Sequence, residues 1–131
     1  MSKIQWTEVL GWGQEELDDL RYVAYSYIKQ GIYDVALTIF NALAVLTPQT
    51  AYDLQTIGAL YLQMGENLKA LDHLDRSLKL DPTHLPSQLN RAKALLALGL
   101  KQQAIAQATL IEKREDPLVS PQAAALLGIA N

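Results

Sequence analysis

Small and apolar residues recur along this chain with a period of 34 positions. In the middle segment, 51–84, the recurring residues are Leu54, Ile57, Gly58, Tyr61, Gly65, Ala70, Leu74, Ser77 and Pro82. The segment before it, 17–50, has Leu20, Val23, Ala24, Tyr27, Gly31, Ala36, Phe40, Leu43 and Pro48 at the same places. The segment after it, 85–118, has Gln88, Arg91, Ala92, Leu95, Gly99, Ala104, Ala108 and Ile111, with Pro117 one place late. The pattern predicts three consecutive structural repeats, of which the third is degenerate because two apolar positions have become polar.

Within each repeat the spacing predicts two helices joined by a turn. A glycine stands where the first helix should end, because a residue that adopts positive φ terminates a helix there: Gly31, Gly65 and Gly99. Each second helix should end at a residue that precedes proline and therefore avoids the helical region: Thr47, Asp81 and Asp116. Small residues such as Gly58 and Ala70 let the paired helices approach closely, so leucine at either place should overpack the contact.

By these residues the chain is identified as a member of the tetratricopeptide-repeat superfamily. The resemblance implies an all-α fold, a tetratricopeptide-repeat solenoid of three helix–turn–helix units plus a C-terminal capping helix. The predicted organisation is an N-terminal arm or short helix over 1–16, repeats over 17–118 and a capping helix over 119–131. Ser120 is the expected N-cap of that last helix, with Pro121 at its first position.

Composition and charge narrow the classes of function. The chain has 131 residues, of which 50% are hydrophobic and none is cysteine, so we expect a packed core without disulfides. The formal net charge is −3 and there is no basic run, so nucleic acid is not an expected partner. Neither a signal peptide nor an apolar run of bilayer length stands out, so we expect a cytoplasmic protein without membrane insertion.

The motifs of enzymes and of metal sites are missing from the sequence. There is no nucleophile elbow, phosphate-binding loop or dinucleotide fingerprint. The two histidines, His73 and His84, fall on a second helix and in the following turn, so they are expected to be solvated surface residues and not converging ligands. We therefore expect no catalytic activity, no metal and no other cofactor.

Candidate binding residues come from the first helix of each repeat, which in this superfamily lines a concave groove. In this chain the groove places hold Arg21, Tyr25 and Ile28, then Tyr52, Gln55, Ala59 and Leu62, then Leu89, Lys93 and Leu96. The apolar members could form pockets for an extended peptide, while Arg21, Gln55 and Lys93 could bond its backbone or its acidic groups. The alternative for any one of them is a role in the core.

A narrower resemblance covers about two thirds of the chain. The runs 20–25 and 31–36 with Phe40, then 57–59, then 92–96, are similar to the class II (translocator) chaperones of bacterial type III secretion. The resemblance implies a cytoplasmic chaperone that binds a segment of a secretion substrate, with Tyr33 as a further groove residue. The resemblance leaves two clients open, a translocator and a needle subunit, and it allows a homodimer. Arg21 and Gln55 depart from the family pattern, where an aromatic and an apolar residue are usual. A general repeat scaffold outside secretion, or a regulatory subunit of an enzyme, remains the alternative.

Overall fold

A computed structural model describes residues 5–130, and this part of the chain contains eight α-helices and no strand. The helices are α1 (Trp6–Leu10), α2 (Gln14–Lys29), α3 (Tyr33–Leu46), α4 (Ala51–Gln63), α5 (Asn67–Leu80), α6 (Leu85–Ala97), α7 (Lys101–Glu112) and α8 (Ser120–Ala130). The first four residues of the predicted arm and the last residue of the predicted capping helix lie outside the described residues.

The described chain divides into two compact units, one ending at Gln49 and the other beginning at Thr50. In the first unit α2 packs against α3, and α1 contacts α3. In the second unit each helix from α4 to α8 packs against the next, and α4 also contacts α6, which in turn contacts α8. The first helices of successive pairs therefore lie side by side within the second unit, followed by α8.

The turn between paired helices is built three times in the same way. Gly31, Gly65 and Gly99 have φ of 77°, 77° and 79°. The N–H of each glycine donates to the carbonyl three residues earlier, and the next N–H donates to the carbonyl five residues earlier, over 2.9–3.1 Å. This is the Schellman arrangement, which satisfies the last carbonyls of a helix and requires a left-handed residue. The predicted role of these glycines is confirmed.

The paired helices α4 and α5 approach each other closely at Gly58. A Cβ added there would lie 2.8 Å from Cγ and 2.9 Å from Cδ2 of Leu74 on α5. Leu74 and Ala70 are both fully buried, so the leucine has little space into which it can move. The predicted need for a small residue at this place is confirmed, because even one methyl group collides with the facing helix.

A chain of hydrogen bonds joins α4, α5 and α6. The Ser77 hydroxyl donates to the carbonyl of Ala51 over 2.7 Å, so its proton is not available to Ser87, whose Oγ lies 2.7 Å from it. Ser87 must therefore donate to Ser77, and Nδ1 of His84, 2.7 Å from the Ser87 Oγ, must donate to Ser87. Both serines are fully buried and His84 is half-buried, so the expectation of a solvated surface histidine is wrong here.

The connection into α8 differs from the sequence expectation. The Asp116 carboxylate accepts the backbone N–H groups of Leu118 and Val119, each over 2.9 Å. Ser120 is already the first residue of α8, and its buried hydroxyl donates to the carbonyl of Ile111 on α7. The Asp116 carboxylate thus stabilises the turn before α8, while the Ser120 Oγ accepts the backbone N–H of Asp116 over 2.8 Å and is engaged away from α8.

Candidate functional site

Two neighbouring helices of the second unit, α4 and α6, each leave one side accessible. The opposite side of α4 is buried at Leu54, Ile57 and Gly58, and that of α6 at Ala92 and Leu95. Residues left accessible on the remaining side include Tyr52, Gln55, Ala59 and Leu62 of α4 and Lys93 and Leu96 of α6. We call these six residues the α4–α6 face. Tyr52 is its most prominent member, with 53% of its surface exposed.

Leu62, at the edge of this face, has a second role in the core. It is half-buried and packs against the buried cluster of Ala70, Leu74 and Ala94. Part of its surface is open to a ligand and part supports the contact among α4, α5 and α6. Truncating Leu62 would therefore change the stability of the unit together with any binding.

Leu89 was expected in the groove, and the structure buries it. Only 5% of its surface is exposed, and it belongs to a core cluster with Ala108, Ile111, Val119 and Ala123. α8 causes this difference, because it packs against both α6 and α7. Ala123 of α8 and Val119, which immediately precedes α8, both belong to the cluster. Leu89 is thus not accessible to a ligand in this structure, and its expected groove role is corrected to a core role.

Lys93 has a distinct place among the charged residues of the two helices. The others are Asp53, which is 5% exposed, and Arg91, whose Nε donates to Oδ1 of Asp75 over 2.7 Å. Lys93 is half-buried and forms no ion pair with any residue in the range 5–130. It is consequently the one formal charge on the α4–α6 face.

The candidate residues of the first unit lie in different surroundings. Arg21 pairs with Asp18 on the same helix, with 3.7 Å between Nη1 and Oδ1. The Tyr25 ring meets the fully buried Phe40 ring edge-on, with centroids 5.5 Å apart. Ile28, on α2, is half-buried. Tyr33 is also half-buried, but it is the first residue of α3 and so lies on the second helix of the pair. Tyr25 therefore contributes to the packing of this unit.

Arg91 is one of the two polar residues for which the third repeat is considered degenerate, and in the structure it has a specific role. Besides the bond to Asp75 on α5, its Nη1 donates to Oε1 of Gln107 on α7 over 3.1 Å. Gln88, the other polar replacement, donates from Nε2 to the carbonyl of Pro82 over 2.7 Å. Both polar residues are thus satisfied by partners that the repeat pattern does not specify.

The two histidines are held by different partners. Nδ1 of His73 lies 2.8 Å from the carbonyl of Lys69, and its ring packs 5.2 Å from that of Tyr61, whereas His84 bonds Ser87. Within residues 5–130 no group of three or more His, Cys, Asp or Glu residues is placed to hold a metal ion. None of the helices in this same range is both long and apolar enough to cross a membrane.

Comparison with known sequences finds tetratricopeptide-repeat relatives. The family model described as "Anaphase-promoting complex, cyclosome, subunit 3" matches residues 29–108. The BBSome complex member BBS4 of Bos taurus is 35% identical over 83 residues, which cover 62% of this chain. The chain spans 15% of the length of that relative.

Comparison with solved structures confirms the all-α tetratricopeptide-repeat fold. The type III secretion translocator chaperone SycD of Yersinia enterocolitica is similar with a TM-score of 0.83 and 20% identity, over 94% of this chain and 96% of that one. PcrH, known from Pseudomonas aeruginosa, is similar in its complex with the chaperone-binding region of PopD, with a TM-score of 0.81 and 22% identity. That likeness covers 92% of this chain and 94% of the other. The predicted resemblance to translocator chaperones thus extends to the fold.

Proposed function

We propose that this chain, which belongs to the tetratricopeptide-repeat family described as anaphase-promoting complex, cyclosome, subunit 3, binds an extended segment of another polypeptide on the α4–α6 face. The observation that carries the proposal is the exposed Tyr52, which shares the α4–α6 face with Gln55 and Lys93, on helices whose opposite sides are packed. A large aromatic on a rigid support loses little conformational entropy when it is covered, which is why tyrosine is frequent at binding hot spots.

The face offers the two kinds of contact that an extended peptide needs. Tyr52, with Leu62 and Leu96 at the edges, provides apolar surface for side chains of the bound segment. Gln55 carries an amide that can both donate to and accept from a peptide backbone. Ala59 lies between them along α4, and its small side chain leaves room for the peptide to approach the helices closely.

For the client we propose a type III secretion substrate, either a translocator or a needle subunit, held in the cytoplasm before export. Two observations support this class: the chain resembles translocator chaperones in its own residues, and its fold is similar to SycD and PcrH over nearly the whole of each chain. PcrH is seen with the chaperone-binding region of PopD, a case of a partner segment held by this fold. Such a chaperone would cover an aggregation-prone segment, with no catalytic step.

A second candidate is a scaffold that joins proteins within a stable assembly. The family match and the BBS4 similarity favour it, because both descriptions name a member of a multi-protein complex. The same α4–α6 face would then hold a permanent neighbour in place of a transient client. The two candidates predict different captured proteins and the same binding residues.

The experiment is affinity capture from the protein's own cells, with mass spectrometry of the bound polypeptides, for wild type and Tyr52→Ala. Tyr22→Ala is the matched control, since Tyr22 is a 76% exposed tyrosine of α2 outside the α4–α6 face. Tyr25 and Leu62 are unsuitable for this test, because both also pack in the core. We expect Tyr52→Ala to reduce client recovery about tenfold, as for loss of a modest hot spot.

Each outcome decides between defined alternatives. A secretion substrate recovered with wild type and with Tyr22→Ala, and lost with Tyr52→Ala, supports the chaperone. A stable set of non-secreted proteins with the same dependence on Tyr52 supports the scaffold. Equal recovery of the same proteins with all three forms contradicts the α4–α6 face as the binding site.

A further inference from the structure

Lys93 gives the α4–α6 face a charge preference that the apolar contacts do not supply. We propose that the face selects client segments in which an Asp or Glu, flanked by apolar residues, pairs with the Lys93 ammonium. The inference rests on the proposed polypeptide-binding function and specifies the chemistry of the segment. It concerns a carboxylate side chain within the segment.

The first argument is the state of the neighbouring charges. Asp53 is buried, and Arg91 is engaged by Asp75 and Gln107, so neither is available to a ligand on this face. Lys93 is accessible and has no ion-pair partner within residues 5–130. The face therefore presents a single positive charge, and the group that complements it is a carboxylate.

The second argument is the position of Lys93 in the repeat. It lies 34 residues after Ala59, so the two occupy equivalent places on the adjacent helices α4 and α6. Its side chain is half-buried, which is typical of a lysine whose methylene stem lies along the protein surface while the ammonium reaches solvent. A peptide that covers the face would remove part of the water around this ammonium and strengthen a direct pair.

The third argument is discrimination. The whole chain has a formal charge of −3, so at long range it repels acidic segments weakly. Lys93 is a local exception, and a segment with Lys or Arg opposite it would meet a like charge as the two surfaces close. We expect the pair to determine which segments are accepted and in which register, more than how tightly the best ones bind.

The test uses a phage-displayed library of random linear peptides, selected on wild type, Lys93→Glu, Lys93→Gln and Tyr52→Ala. Wild type should enrich Asp or Glu at a fixed distance from apolar residues. Lys93→Glu should enrich Lys or Arg at that same distance, and Lys93→Gln should show no charge preference. Lys101→Glu is the matched control, because Lys101 is exposed at the start of α7 and the substitution changes the net charge equally.

A selected peptide and its Glu→Gln form are then compared by calorimetry on wild type. The neutral form should bind about three- to tenfold more weakly, which is the range of a partly screened pair, and the difference should shrink at high salt. Identical selected sequences on wild type and on Lys93→Glu, with dependence on Tyr52 retained, would overturn this inference and leave the proposed function standing. Absence of any selected peptide that depends on Tyr52 would overturn the proposed function itself.

Discussion

The helix pairs α4–α5 and α6–α7 follow the same repeat pattern. They show that the seventh and eighth positions of the repeat differ in the substitutions they accept. At the seventh place the first pair has the buried Ile57 and the second has Arg91, which is satisfied by Asp75 and Gln107. At the eighth place Gly58 leaves no room for a single methyl group. A repeat position thus tolerates a charge where polar partners lie within reach, whereas at a close helix contact it tolerates added volume only when the facing residue is smaller.

At the eighth position the two pairs also distribute side-chain volume differently between the facing helices. In the first pair Gly58 meets Leu74, whereas the second pair has Ala92 at the same place and Ala108 where Leu74 would stand. Gly58 is buried, and Leu74, Ala92 and Ala108 are each at most 1% exposed. A glycine with a leucine and two alanines are therefore alternative solutions to one packing problem.

Gly58→Leu should have the largest effect. The added side chain begins 2.8 Å from Cγ of Leu74, so we expect the free energy of unfolding to fall by about 3 kcal/mol or more through overpacking. Urea unfolding followed by circular dichroism measures the change. Gly128→Ala is the control, because a Cβ on Gly128 of α8 meets nothing within 4 Å and should stabilise the helix by about 0.5–1 kcal/mol. A Gly58→Leu protein as stable as wild type would refute the close contact.

Ser77→Ala tests the polar link that the first and second pairs share. Removing this hydroxyl deletes a buried donor to the Ala51 carbonyl and the buried acceptor of Ser87, which keeps His84 as a partner, so we expect a loss of about 1–3 kcal/mol. The exposed Ser26 of α2 provides the control, since Ser26→Ala should change stability by less than about 0.5 kcal/mol.

The direction of the same hydrogen-bond chain can be measured separately. Imidazole nitrogen shifts by NMR should show the proton on Nδ1 of neutral His84, because Ser87 has already donated its own proton to Ser77. In Ser77→Ala that constraint disappears, and we expect a mixture of tautomers. A neutral His84 protonated on Nε2 in the wild type would contradict the order of donors.

Arg91→Ile restores the apolar residue of the first pair and should have a smaller effect. Asp75 keeps 46% of its side chain exposed and Arg91 28%, so solvent screens their interaction. A double-mutant cycle with Asp75→Asn should give a coupling free energy below about 1 kcal/mol. A coupling above about 2 kcal/mol would mean that the third repeat depends on this pair for its stability.

Asp81, in the turn between the two pairs, should show the smallest effect. The hydroxyl of Thr83 and then its backbone N–H donate to the Asp81 carboxylate and lower its pKa below 3.8. Because the folded pKa is depressed, its contribution to stability is present above pH 3.8 and is lost as the pH falls through the folded value. Thr83→Val should raise the pKa towards the ordinary value in an NMR titration of the carboxyl carbon. An unchanged pKa would rule out the hydroxyl as the main cause.

The sequence by itself determined the local structure of this protein. The three glycines with positive φ and the small residue required at Gly58 follow from backbone preferences and from a repeated spacing, so they could be predicted from the residues concerned. The accessible positions of α4 could also be predicted from the sequence, because helical periodicity fixes which residues share a side of a helix.

Only the tertiary structure decided which side chains are covered and which polar groups meet. Leu89 is buried because α8 arrives from a distant part of the chain, and Tyr25 is held by the ring of Phe40. Arg91 is satisfied by residues 16 positions away on either side, on two different helices. Periodicity describes one helix at a time, whereas burial and pairing depend on helices brought together by packing, and that is where a candidate ligand surface such as the α4–α6 face is separated from the core.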